Sequence, residues 1–374
     1  MRKKTKNRHG GFGLQVLMLL FLLLVGANGA YAQSDCFEYE GGGNTVITDL
    51  TGTGMAASSL TIPATVTTVN SGAFSSAANV STLIIEAGAN PAFEASLFGT
   101  NANPISEIRI LGSNMTVANI QKLFTSLGAQ GALSTVYIAG YSGEWSGIES
   151  NAVLTSEVTV TLPAALVRAQ KFGDAKVCGR FEITKEIISF CGNATFLDTD
   201  DGSNMLFYIA DECNKEEGYI HIQRVSYVKK GEGVLIHNLK NTSAYADLPV
   251  YDGEITGDDA TNYNKNMLKG VTTATTIGKT DGGKTNLVLK DGAFHPTSGG
   301  TIGANKAYLQ VPNTALAARK ILNISFYEEA TAIRLTTSAT RDEGEWYDLS
   351  GRLLNSRPSA KGLYIYNGKK YVIR

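Results

Sequence analysis

The sequence predicts a β-rich protein in three parts: a solenoid of short parallel strands with short helices, then an antiparallel β-sandwich, then a small C-terminal β-hairpin unit. Three observations predict it. Apolar–x–apolar triplets recur every 22 to 28 residues between residues 60 and 162. Farther on, alternating apolar runs are interrupted by Gly, Asn and Asp turns. Near the end, Asn367-Gly368 lies between alternating residues, the pattern of a two-residue type I′ hairpin. Composition agrees, because Gly reaches 40 residues and charged residues only 18% of the chain, a profile of exposed β structure and not of a helical enzyme.

The first element is an export signal. Arg2, Lys3, Lys4, Lys6 and Arg8 precede an apolar run from Leu14 to Val25, and Ala30-Tyr31-Ala32 supplies the small-residue cleavage pattern. Residues 1–32 therefore read as a cleavable secretory signal peptide. An apolar run of about 12 residues is too short for the roughly 20 that a membrane-spanning helix needs, and no later run is longer. Cleavage removes those five basic residues and no acidic one, so 28 of the 33 Lys and Arg remain against 34 Asp and Glu. The net charge becomes −6, and no basic stripe is left to neutralise phosphates, which excludes nucleic acid as an expected partner.

All four cysteines, Cys36, Cys178, Cys191 and Cys213, lie beyond the signal. An exported chain permits disulfides, and Cys178, Cys191 and Cys213 are the candidates for one, with buried thiols as the alternative. The spacings match no zinc signature, and no metal site or cofactor is expected.

The repeating part occupies residues 33–165. Its triplets are Leu60-Thr61-Ile62, Leu83-Ile84-Ile85, Ile108-Arg109-Ile110, Val136-Tyr137-Ile138 and Val158-Thr159-Val160. A period of this size with such strands marks a leucine-rich-repeat solenoid, each turn giving one short parallel strand and a returning segment. Returning segments carry Ala73-Phe74, Pro91-Ala92-Phe93 and Leu97-Phe98. From Thr116 to Leu127 a helix is predicted, with Val117, Ile120, Leu123, Phe124 and Leu127 on one face and Gly128 as its stop. If the outer residues of each triplet face the core, the middle ones point outward. Thr61, Ile84, Arg109, Tyr137 and Thr159 then form one stripe, the candidate binding residues, centred on Arg109 and Tyr137 because Arg and Tyr are enriched at the energetic centres of interfaces.

The string Leu60-Thr61-Ile62-Pro63-Ala64-Thr65-Val66-Thr67-Thr68-Val69, followed by Ala73-Phe74 and Leu83-Ile84-Ile85, resembles the BspA-like leucine-rich repeats of bacterial surface proteins. The match covers about 100 residues and is clearest in the first turn; the third and fourth turns lack the Ala-Phe pair. The resemblance implies an exported, surface-exposed protein used in adhesion, with a host or microbial surface protein or glycan as partner.

Residues 166–327 read as the β-sandwich. Predicted strands are Leu206–Ala210, Tyr219–Tyr227, Gly233–His237, Thr285–Leu289, Ala307–Val311 and Ile321–Phe326, preceded by a helical link from Ala164 to Lys171. Gly192-Asn193-Ala194-Thr195-Phe196, Lys230-Gly231-Glu232-Gly233-Val234-Leu235-Ile236 and Lys306-Ala307-Tyr308-Leu309-Gln310-Val311-Pro312 are similar to an accessory domain common in secreted proteins of the Bacteroidetes. Residues 328–345 read as a polar linker. Residues 346–374 resemble the C-terminal modules of type IX secretion in that phylum, through Tyr347-Asp348-Leu349-Ser350-Gly351-Arg352 and Lys361-Gly362-Leu363-Tyr364-Ile365-Tyr366-Asn367-Gly368-Lys369-Lys370. That resemblance implies passage to the outer surface or beyond; a plain terminal hairpin accounts for the same residues.

No catalytic residue is assigned. Gly278 to Thr285 fits the G-x-x-x-x-G-K-T phosphate-loop pattern, but a strand pattern follows Thr285 where the chemistry needs a helix start. Asp198 to Gly202 carries its Gly one place early for a calcium loop. His221, His237 and His295 sit in no metalloprotease or hydrolase setting. The expectation is a non-enzymatic binding protein of undetermined oligomeric state. A secreted carbohydrate-active enzyme using an acidic pair, or a structural surface component, are the alternatives.

Overall fold

The computed structural model describes residues 33–326, apart from 129–131, 148–150, 169, 200–203, 215–216, 241 and 316–320, together with parts of 346–373. Residues 1–32, expected to be a signal peptide, and 328–345, expected to be a linker, lie outside the described residues. Residues 33–326 belong to one compact unit and the C-terminal residues to a second. The protein is β-rich, with several sheets.

The triplets become strands because their β-branched residues suit a pleated surface and their alternation buries one side. Ser59–Ile62, Thr82–Ile85, Glu107–Ile110, Thr135–Ile138 and Thr159–Pro163 pair in parallel, in that order. Their inward residues, from Leu60 and Ile62 to Val160 and Leu162, are at most 1% exposed. Each such burial contributes about 1.5–3 kcal/mol. A serine precedes four of these strands, and successive serines are joined by two hydrogen bonds. The Ser81, Ser106 and Ser134 amides donate to the carbonyls of Ser58, Ser81 and Ser106, and the Ser81, Ser106 and Ser134 hydroxyls donate to those same carbonyls at 3.2, 3.1 and 3.1 Å.

Between the strands, Phe37, Phe74 and Phe98 stack in series, with ring centroids 6.4 and 6.0 Å apart. The predicted helix forms over Val117–Ser126: Thr116 caps it, its hydroxyl accepting from the Asn119 amide, and Gly128 ends it at a φ of 73°. The expected helical link after residue 163 is shorter, a single 3₁₀ turn at Ala164–Leu166.

The sheet runs past residue 165, where the sequence reading ends the repeats. Lys176–Ile183 adds in parallel to Thr159–Pro163, and Ala244–Pro249 adds antiparallel beyond it, giving seven strands. The inward side of Lys176–Ile183 explains the continuation. Phe181 is 3% exposed and meets Phe190, Phe196 and Phe207 edge-on, at centroid distances of 5.0, 5.1 and 5.3 Å. Gly179 is required beside it, since a Cβ there would stand 2.3 Å from the Phe196 ring. One continuous core thus reaches from Cys36 to Tyr263.

The sandwich expected over 166–327 takes a different form. A single ten-stranded sheet runs from Ile187–Phe190 through Val234–Asn238, Met205–Asn214, Tyr219–Arg224, Leu322–Phe326, Ala293–Pro296, Lys284–Lys290 and Lys306–Pro312 to Leu268–Val271, with Thr280–Asp281 paired at its side. All its pairs are antiparallel except Tyr219–Arg224 with Leu322–Phe326. The ends curl toward each other into a nearly closed, barrel-like sheet: the Cys191 amide donates to the Asn305 carbonyl, the Ala307 amide to the Ser189 hydroxyl, and Glu232 bridges Lys269. Glycines allow the approach. A Cβ on Gly270 would lie 2.4 Å from Cys191 Sγ, and one on Gly233 would lie 2.7 Å from the Ala307 Cβ. Tyr208, Ile222, Leu235, Leu287, Phe294 and Leu309 pack on its enclosed side.

The C-terminal residues form a four-stranded sheet of Leu353–Leu354, Trp346–Tyr347, Gly362–Tyr366 and Lys369–Ile373. The last two strands pair antiparallel with Tyr366 opposite Lys369, so two residues connect them.

Candidate binding face

The strand ladder sets which of the predicted residues come together. Thr61, Ile84, Arg109 and Tyr137 are in register on adjacent strands and alternate with fully buried neighbours, so they share the outward side. Thr61, Arg109 and Tyr137 are partly exposed, whereas Ile84 is 8% exposed and offers little surface. Thr159 does not join this stripe. Opposite Tyr137 stands Thr161, and Thr159 pairs with Thr135 one row away on the same side. The repeating triplet of that strand is Val160-Thr161-Leu162, two residues later than the sequence reading had it. Val158 instead closes a turn, its amide donating to the Thr155 carbonyl.

Around this stripe the outward side gathers polar groups. Arg109 Nε donates to Glu107 Oε1 at 2.7 Å on the same strand, and the Thr82 hydroxyl lies 3.5 Å from Glu107 Oε2. The row through Glu107 continues as Ser59, Thr82, Thr135, Thr159 and Lys176.

The centre of the face comes from residues that the sequence reading did not select. Arg180 and Asp247 sit opposite each other on the last two strands, and the guanidinium makes a two-pronged contact, Nε to Oδ1 and Nη2 to Oδ2, both 2.7 Å. The same guanidinium carbon lies 4.6 Å from the Tyr137 ring centroid and 4.7 Å from that of Tyr245. Reaching Tyr137 takes the Arg180 side chain across the intervening strand, which accounts for Thr161 being 5% exposed although it points outward. Tyr245 is 62% exposed and stands opposite Glu182. Hydrogen bonding to Asp247 raises the Arg180 pKa, and burial pushes the Tyr137 hydroxyl up, so the first stays charged and the second neutral. A signal for this cluster was present. Lys176 to Ile183 and Ala244 to Leu248 alternate with period two, which places Arg180, Glu182, Tyr245 and Asp247 on one side.

The three candidate disulfide cysteines are not bridged; no disulfide joins any of the four cysteines. Their positions explain it. Cys178 stands on the outward row of the seven-stranded sheet opposite Thr161 and Pro249, Cys191 is buried against Gly270 at the seam of the other sheet, and Cys213 packs beside that sheet's own core. Burial pushes both the Cys178 and the Cys191 thiol up to about 11.

Residues of the phosphate-loop lookalike form strand and turn: Thr280 and Asp281 pair with Thr285 and Lys284 around Gly282 and Gly283, both at positive φ. Among the described residues, no group of three or more His, Cys, Asp or Glu is arranged to hold a metal ion. A hollow of about 380 Å³ lies beside Phe74 and Phe98, edged by Ala77, Ala102 and Pro104, and no carboxylate lines it. Among the described residues no helix is long and apolar enough to cross a membrane. In comparisons with protein families, curated proteins and solved structures, nothing matches the chain.

Proposed function

We propose that this chain is an exported surface protein that binds a protein or glycan partner through the outward side of its parallel sheet, and that this sheet is a leucine-rich-repeat solenoid of the BspA-like kind. The observation that carries the reading is the Tyr137–Arg180–Tyr245 stack, fixed by Asp247 on a rigid ladder. Tyr and Arg held in place beforehand lose little freedom when a partner arrives, which is the condition for a strong contact. In support of the repeat reading, Leu60, Leu83, Ile108, Val136 and Val160 share one ladder position at intervals of 23, 25, 28 and 24 residues. The signal pattern of residues 1–32 and the C-terminal resemblance support export to the outer surface.

The enzymatic alternative needs a pair of carboxylates facing a substrate. On this face Glu107 and Asp247 are each engaged by an arginine, and Glu182, which has no such partner among the described residues, is a single carboxylate where hydrolysis needs two, which favours binding over hydrolysis. The test is retention of labelled residues 33–374 on immobilised extracellular-matrix proteins and on a glycan array, with Tyr137→Ala plus Arg109→Ala as the comparison. Retention that the double variant loses supports the reading. Retention by neither surface, or equal retention of both proteins, removes it.

A further inference from the structure

The chemistry of the face narrows its ligand. We infer that it takes an uncharged glycan chain, with Tyr245 as the stacking platform and the Arg180–Asp247 pair as the hydrogen-bonding edge; this rests on the reading of the face as a binding surface.

Charge comes first. Arg109 is matched by Glu107 and Arg180 by Asp247, while Glu182 stands opposite Tyr245. The remaining charges on these rows, the exposed Glu182 and Lys176, are of opposite sign, so the face is balanced and neither a polyanion nor a polycation finds a surplus of opposite charge here. Most of the other outward groups are polar and uncharged. The outward rows carry the hydroxyls of Ser59, Thr61, Thr82, Thr135 and Thr159, repeated at the strand spacing of about 4.8 Å.

Apolar anchors are scarce. Within these strands the outward aliphatic residue Ile84 is 8% exposed, and the large exposed side chain is the Tyr245 ring at 62%. A protein partner of ordinary affinity is held by several buried apolar or aromatic anchors surrounded by a sealing rim. A sugar ring asks for something different: one flat aromatic surface for its C–H face and in-plane donors and acceptors for its hydroxyls. Tyr245 supplies the first, one side of its ring being backed by the guanidinium at 4.7 Å. Arg180 keeps N–H groups beyond those spent on Asp247, and the Asp247 oxygens keep lone pairs, so the pair presents donors and acceptors side by side to neighbouring hydroxyls. Both groups are held in place without ligand, which removes an ordering cost that a weak, polar contact could not bear.

The test is affinity electrophoresis of residues 33–374 in gels containing xylan, β-glucan or galactomannan, with polygalacturonate as the charged probe and gelatin as the protein probe. At least one neutral polysaccharide is expected to retard the protein. Tyr245→Ala should weaken that retardation by about tenfold or more, while Tyr245→Phe keeps it. Arg180→Lys, which preserves charge but not the planar edge, should also weaken it. Unchanged unfolding temperatures for the Tyr245 variants separate lost binding from lost fold. Retardation by polygalacturonate or gelatin alone overturns the glycan inference and leaves a partner-binding face standing. Neutral-polysaccharide binding that survives both Tyr245→Ala and Arg180→Lys overturns it too, and retardation by no probe counts against both readings.

Discussion

Replacing Phe181 by Ala tests whether the parallel sheet and the barrel-like sheet fold as one body. Phe181 is 3% exposed, and its ring meets Phe190, Phe196 and Phe207 edge-on within 5.3 Å. Truncating a buried phenylalanine costs about 3–5 kcal/mol through lost transfer energy and the cavity left behind. Three edge-on partners, each worth roughly 0.5–1.5 kcal/mol beyond area, place this site in the upper half of that range. For a unit of this size such a loss lowers the unfolding temperature by about 8–15 °C. Phe181→Leu, which refills most of the volume, should cost only about 1–1.5 kcal/mol. The assay is calorimetry of residues 33–374, followed in parallel by near-ultraviolet circular dichroism. Because the core is continuous from Cys36 to Tyr263, the main transition should move as a whole. A split trace whose upper part keeps the wild-type temperature would refute the single-body argument, and so would a shift below about 3 °C.

Tyr263→Phe should cost about 1–3 kcal/mol by urea unfolding, because the buried phenol donates to the Tyr227 carbonyl and accepts from the Lys229 amide, both of which would lose their partner. His237 is stacked 4.4 Å from Phe326 with its Nδ1 buried and unpartnered, and burial lowers its pKa below the ordinary 6.5. The unfolded chain then binds the extra proton first, so the stability from His237 is whole above about pH 6.5 and is lost as pH falls through the native value. His237→Gln should flatten the decline in urea midpoint between about pH 7 and 5, and parallel profiles would contradict this. Four thiols should titrate with a disulfide reagent in guanidinium without reductant, while the native protein reacts slowly because burial holds Cys178 and Cys191 near 11. A count below four would show a bridge.

Local pattern made part of this fold legible. The inward pairs Leu60 and Ile62, Leu83 and Ile85, and Ile108 and Ile110 could be picked out because alternation and burial coincide within each strand. Helix Val117–Ser126 was legible because a capping threonine, an apolar stripe and a terminating glycine agree. Thr159 falls off the predicted stripe because Val158-Thr159-Val160 and Val160-Thr161-Leu162 both read as apolar–x–apolar, and only the pairing with the neighbouring strand chooses between them. The barrel-like sheet was read as a sandwich for a related reason. Strand alternation is the same in both, and what decides closure is the contact of Gly270 with Cys191 and of Gly233 with Ala307, residues far apart in sequence.

The proposed binding face combines the two kinds of information. Tyr137 was selected from the repeats alone, but its exposure is controlled by Arg180, which in turn is oriented by Asp247, 67 residues farther along the chain. Period-two alternation links this cluster to the core as well. Along Lys176–Ile183, Arg180 points outward to Tyr137 and Tyr245 while the next residue, Phe181, points inward to three phenylalanines. A strand anchored that firmly on one side can hold a guanidinium between two rings on the other without help from the ligand. The consequence is directional: loosening Phe181 should weaken binding through Arg180, whereas removing the exposed Tyr245 should weaken binding and leave stability within about 0.5 kcal/mol.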